Sequence, residues 1–360
     1  MKTVWAVCKD PGGTANLLPI LPVLRERGLE VKLFLQEGGK GESVIKNSSE
    51  EYRVLAEPLN TSYVIYGEPP DIFVTSMCSG ESIGRDLLSF FKKEGVPTVA
   101  LQDFWGARLK TDWADSEYRP DLICVNDEVG KEIVLDAWNI WDEKKTRVAV
   151  TGYPSFDALA KTVLEPTRGL EVLGVNDDLP VVLYPGQIWH AGEMLLELVE
   201  ALIECNIPCH LVATRHGRMS EAGEEEIRLW EEAERRFPWK IHTTVDFRQI
   251  LNIVAASRVV VGMYSTIQIQ AAALGIQTIS MLYPERGATS FIRETGGVMR
   301  EFPLVELGCS AKATNRGGLR SFLKIALTEN LGLHPEQAKA FRLDGKNAER
   351  TAEAVLSLLH

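Results

Sequence analysis

Polar and glycine-bearing residues recur in this sequence where apolar, strand-like runs hand over to helical patterns. Lys9-Asp10-Pro11-Gly12-Gly13-Thr14 is the first such junction. Gly12 and Gly13 would let backbone amides approach an acceptor, and the amides of a helix start favour anionic or polar groups. A plain tight turn with Thr14 as N-cap is the structural alternative. The spacing matches neither the GxGxxG of dinucleotide folds nor the GxxxxGK[ST] of P-loops. Gly38-Gly39-Lys40-Gly41 reads as a surface loop after the second strand. The run Leu101 to Arg108 contributes three chemical types at another strand end. Asp103 is a candidate base, as is Asp10, Arg108 could pair with phosphate, and Trp105 could stack on a sugar ring or form an internal wall.

The second half repeats the arrangement. Tyr184-Pro185-Gly186-Gln187-Ile188-Trp189-His190 joins a strand to a helix, and Gly186 with the helix-start amides would suit a diphosphate. Arg215 and His216 follow the next strand and add cationic character. Gly262 to Ala271 contains Ser265, Thr266, Gln268 and Gln270, and Arg286 follows a further strand. Ser and Thr at such a position cap a helix in any protein; several polar strand-end loops on one edge are what suggest a site.

These junctions need parallel sheets behind them. Apolar runs at Val4 to Cys8, Val31 to Leu35, Asp71 to Thr75, Pro97 to Leu101, Leu122 to Asn126 and Arg147 to Thr151 alternate with helical patterns, the first spanning about Thr14 to Arg27. The pattern dissolves between Thr162 and Leu179 and then resumes with strands at Val181 to Tyr184, His210 to Ala213, Lys240 to Thr243, Val259 to Gly262 and Thr278 to Leu282. We therefore expect an α/β chain of two Rossmann-like domains: residues 1–162, a linker at 163–178, residues 179–345, and a C-terminal helix at 346–360 packing back on the first domain. Two parallel sheets would face each other across a cleft, and ligands of open α/β sheets bind at the carboxyl ends of the strands. Charged residues dominate Glu221 to Arg236, with acids and arginines at helix-compatible distances, which reads as a solvated helix.

Composition narrows the partners. A length of 360 residues exceeds what one core usually organises, and a net charge of −11 argues against broad contact with nucleic acid or anionic lipid. The cysteines form no ligand-spaced cluster, so no metal site is expected, and they read as buried thiols of a reducing compartment. Leu17 to Leu24 is short and interrupted by Pro19 and Pro22, too little to span a bilayer. Met1 leads straight into a strand, so a cytoplasmic location is expected; a homodimer is left open.

The stretch from His242 to Arg286 resembles the donor-binding half of GT-B glycosyltransferases and of the related non-hydrolysing UDP-N-acetylglucosamine 2-epimerases. The residues carrying the likeness are the strand Val259 to Gly262, the turn Ser265-Thr266, Gln268, Gln270, Ala271 and Leu274-Gly275. Val150 to Leu159 is similar to the segment leaving the N-terminal domain of those proteins. The resemblance implies a GT-B fold and a nucleotide diphosphate sugar, most readily a UDP-sugar, as substrate, with no separate cofactor. It implies that Ser265 and Thr266 meet the diphosphate, that Gln270 stands where an acid holds the ribose, and that the loop containing Thr244 lies near the base. Together with Gly186, Gln187, His190, Arg215, His216, Gln268 and Arg286 these form the expected donor site; Gly12, Gly13, Thr14, Trp105 and Arg108 form the expected acceptor site. The function so implied is metal-independent glycosyl transfer to a sugar or lipid-linked acceptor in cell-surface polysaccharide or glycoconjugate synthesis. Gln102 and Asp103 stand where the epimerases have a His-x-Glu-Ala-Gly element, which ranks an isomerase second, and a non-catalytic sugar-nucleotide binder is third.

Overall fold

The computed structural model describes every residue except 47, 57–67, 79, 81, 106–108, 141–145, 176–177, 188, 217–222, 244–246, 285–300 and 360. Residue contacts divide the chain into two units. Among the described residues the first comprises 1–161 and 342–359, and the second 162–284 and 301–341.

Unit one begins with β1 (Thr3–Cys8), α1 (Pro11–Leu17), α2 (Ile20–Glu26), β2 (Glu30–Gln36), α3 (Glu42–Ile45) and β3 (Arg53–Leu55). It continues with β4 (Ile72–Ser76), α4 (Ile83–Lys93), β5 (Thr98–Leu101), β6 (Leu122–Val125), α5 (Glu128–Trp138), β7 (Arg147–Val150) and α6 (Phe156–Lys161). The strands form one sheet in the order β3-β2-β1-β4-β5-β6-β7, and every pair is parallel. β4, β5 and β6 are buried at every position, as strands covered by helices on both faces must be. The single helix expected from Thr14 is two helices here, because Pro19 has no N–H to continue the ladder.

Unit two starts where the sequence pattern had pointed to a linker. Residues 166–173 instead form α7 (Pro166–Leu173), opened by Pro166 and closed by left-handed Gly174. Gly169 lets it lie against a later helix, since a Cβ there would come 2.3 Å from the Asn252 carbonyl. Then follow β8 (Val181–Pro185), α8 (Ala191–Cys205), β9 (His210–Thr214), α9 (Glu224–Arg236), β10 (Ile241–His242), α10 (Ile250–Ala256) and β11 (Val259–Gly262). The unit ends with α11 (Thr266–Ala273), β12 (Gln277–Met281), α12 (Pro303–Glu306), β13 (Ala311–Ala313), α13 (Arg316–Thr328) and α14 (His334–Ala340). Its sheet is also parallel, ordered β10-β9-β8-β11-β12-β13.

The last helix, α15 (Asn347–Leu356), belongs to unit one. Ala348, Ala352 and Val355 enter the core formed by Val4, Ile20, Leu24 and Leu122. Buried Asp157 fastens its start, accepting hydrogen bonds from the Asn347 amide at 2.9 Å and the Ala348 amide at 2.7 Å. Such charge-assisted caps satisfy the orphan amides of a helix start. All six cysteines are free thiols, and no described helix is long and apolar enough to cross a membrane.

Candidate functional site

In each sheet the strand order reverses once, between β1 and β4 and between β8 and β11. Loops leaving adjacent strands at such a reversal diverge and open a crevice. Both crevices carry predicted residues.

In unit one, β1 ends at Cys8 and the chain turns through extended Asp10 into α1, with Pro11 at its first position. Gly12 is exposed, and a Cβ built on it would lie 2.2 Å from Asp103 Oδ1; the aspartate side chain therefore rests against the glycine backbone. Gly13 packs equally closely on the Ser76 hydroxyl. The second glycine cluster braces this turn instead of forming a free surface loop: the Gly41 amide donates to the Lys9 carbonyl at 2.8 Å, and a Cβ on Gly39 would meet that carbonyl.

Asp103 follows β5 and is only partly open to solvent. Its backbone is held from β6: the Asn126 side-chain amide donates to the Asp103 carbonyl at 3.3 Å, and the Asn126 N–H donates to Gln102 Oε1 at 3.2 Å. Burial, reinforced by the charge of Asp10, pushes the Asp103 carboxyl up to about 7. Cys78 completes the cluster, its thiol raised by burial and facing Ser76, Asp10 and Asp103. A carboxyl titrating near neutrality can take or give a proton under ordinary conditions. Cys78 and Ser76 were not singled out from the sequence, since only the β1-β4-β5 order brings them to Asp103.

Two expected acceptor contacts are structural. Trp105 is fully buried and its indole N–H donates to Asp127 Oδ2 at 2.7 Å, so it has no free face for a sugar. Asp127 is also the N-cap of α5, accepting from the Gly130 amide at 2.7 Å and from the Tyr153 hydroxyl at 3.0 Å. Burial raises its carboxyl, while those donors pull it down. Thr14 is fully buried within α1, its hydroxyl donating to the Asp10 carbonyl at 2.8 Å, and does not cap the helix. Arg108 lies outside the described residues.

Unit two differs in what meets its helix starts. Gly186 lies too close to the Thr214 carbonyl and the Trp230 ring to admit a side chain. The start of α8, expected to receive a diphosphate, is already met by an anion: the Gly192 amide donates to Glu226 Oε2 at 2.7 Å. Arg215 is exposed but lies over the Trp230 ring and pairs with Glu234 at 3.4 Å. His190 pairs with Glu193, its Nδ1 3.1 Å from Oε2. Gln187 is nearly buried and His216 half-buried.

Among the described residues the cap of α11 is a hydroxyl and its first turn carries no acid. Ser265 caps it, accepting from the Ile267 amide at 3.2 Å, and Thr266 beside it is exposed. Gln270 is half-buried one turn on. Gln268, in contrast, is fully buried and donates to the Ser280 hydroxyl at 2.9 Å and the Ile279 carbonyl at 3.2 Å, holding β12 and unable to reach a donor. Thr244 and Arg286 lie outside the described residues.

No family model matches the chain, and no curated protein matches it in sequence. Solved structures match it along its whole length. The UDP-GlcNAc 2-epimerase of Methanocaldococcus jannaschii is 16% identical with a TM-score of 0.66, covering 99% of this chain and 100% of that one. The UDP-GlcNAc 2-epimerase of Neisseria meningitidis, bound to UDP-GlcNAc, is 14% identical with a TM-score of 0.65, with 99% and 100% covered. MurG of Acinetobacter baumannii is 11% identical with a TM-score of 0.59, again over 99% and 100%. At such identities the likeness concerns the fold: two parallel sheets of seven and six strands with the backbone course of those enzymes make this a two-domain α/β chain of the GT-B fold.

Proposed function

We propose that this chain is a glycosyltransferase that takes a sugar from a nucleotide diphosphate donor, most readily a UDP-sugar, to an acceptor hydroxyl. The observation that carries the reading is Asp103, a carboxyl pushed to about 7 at the carboxyl end of β5, beside Asp10 and against exposed Gly12. As the base it removes the acceptor's hydroxyl proton while that oxygen attacks the anomeric carbon, and the diphosphate leaves with the bonding electrons. The donor's diphosphate sits at the start of α11, where Ser265 and Thr266 combine hydroxyls with the positive end of the helix. Arg215, exposed though paired with Glu234, adds positive charge for the leaving group. The same fold is occupied by UDP-GlcNAc in the Neisseria epimerase, which supports this ligand class.

An isomerase is the second reading, favoured by the electrostatic coupling of Asp10 to Asp103. One carboxyl takes the proton from one face of a carbon while the other gives its own proton to the opposite face. Calorimetry with UDP-, GDP-, CMP- and dTDP-linked sugars, followed by product analysis with and without acceptors, decides the matter. Donor binding and acceptor-dependent nucleotide release are expected; epimerised sugar without acceptor would establish the isomerase, and no binding by any donor would refute both.

A further inference from the structure

Trp189 stands out in the loop between β8 and α8. It is 47% exposed, while Trp5, Trp105, Trp113, Trp138 and Trp230 are each 9% exposed or less. Among aromatic residues with described side chains it alone falls in the exposed class. An indole left in water forgoes the burial that ordinarily makes tryptophan useful to a fold.

The loop holds it there from both sides. Before it, the Gly186 amide donates to the Thr214 carbonyl at 2.9 Å, and the close approach to Thr214 and Trp230 leaves no room for a Cβ. After it, His190 has φ 58° and ψ 14°, the left-handed region that a non-glycine residue enters at a cost. Of the described non-glycine residues with positive φ, Asn139 and Asn206 close helices, a place asparagine tolerates; His190 opens one. Its ring is tied to Glu193 and its carbonyl accepts from the Met194 amide at 3.0 Å. Strain of this kind persists where the surroundings over-determine it, and it concentrates at ligand clamps.

β8 pairs directly with β11, so this loop leaves the sheet next to the one that carries Ser265 and Thr266. Glu226 already meets the Gly192 amide at the start of α8, and beside it the loop offers the flat apolar face of Trp189. We infer that Trp189 is a stacking platform for a ring of the nucleotide sugar, held beside the diphosphate site at the start of α11. The inference rests on the nucleotide-sugar reading above. Stacking needs only a planar or flat apolar ring face, which both the nucleobase and the hexose supply.

Titration calorimetry of the full chain and its Trp189→Ala and Trp189→Phe variants against UDP, UDP-GlcNAc and inorganic pyrophosphate tests it, with thermal melting to confirm that each variant is folded. Trp189→Ala should weaken binding about tenfold and Trp189→Phe should recover most of it, with pyrophosphate unaffected. A loss already seen with UDP assigns the ring to the base; a loss confined to UDP-GlcNAc assigns it to the sugar. If wild type binds these nucleotides and the alanine variant binds them equally well, the platform is overturned. A wild type that binds neither nucleotide would instead remove the nucleotide-sugar reading, and the platform with it.

Discussion

The two strand-order reversals of this molecule treat a carboxylate in opposite ways. At the edge of unit one, Asp103 rests against Gly12 beside a second acid, and burial raises it to about 7. At the edge of unit two, Glu226 accepts a hydrogen bond from a helix-start amide and so satisfies an orphan donor. The same residue chemistry is thus raised by burial in one place and joined to a helix start in the other. What separates them is the local field: a neighbouring anion and scarce water in the first case, an aligned helix dipole in the second.

The strongest test of that contrast is Asp103→Asn. It should lower turnover by about 10²- to 10⁴-fold in an assay of nucleotide release while donor affinity is kept. With aspartate present, the rate should climb with pH through about 7 as the base loses its proton and then level off; the asparagine variant should lack that limb. The sign for stability is opposite. Asp103 holds its proton more tightly folded than unfolded, so it costs stability as pH rises from the ordinary carboxylate range through 7. Asp103→Asn should therefore melt at a higher temperature than wild type at pH 8 and show little difference at pH 4. Turnover unchanged in Asp103→Asn would leave the acidic edge without a chemical role.

A smaller effect, on stability alone, is expected at Asp127. Alanine there strands the buried donors of Trp105, Tyr153 and Gly130 and should cost about 2–4 kcal/mol in urea unfolding at neutral pH. Smallest is Glu226→Gln, which keeps a hydrogen-bond acceptor for Gly192 but removes the charge at the start of α8. A loss of about 0.3–1 kcal/mol is expected, measurable by denaturant titration. A gain in stability would mean that the helix dipole does not hold this carboxylate.

The alternation of strands and helices was legible because buried parallel strands are nearly continuous apolar runs, as at β4, β8 and β11. Arg53–Leu55 and Ala311–Ala313 escaped notice, since three-residue strands at sheet edges carry too little pattern. α7 was hidden because Pro166, Gly169 and Gly174 are loop signals in composition, whereas here they start a helix, allow its close packing and end it. Asp103 was legible by its place at a strand end. The burial of Trp105, Thr14 and Gln268 was not, because the same residue types serve equally as walls, helix-internal donors and ligand contacts.

By itself the sequence determined the class of the fold and which loops leave its strand ends, because periodicity and turn residues are local properties of the chain. Only the tertiary structure decided the surroundings of each acid. The Asp103 carboxyl is raised by burial and by Asp10, and the start of α8 is met by Glu226 from another helix. Desolvation and charge coupling act through space, across separations that no local pattern records.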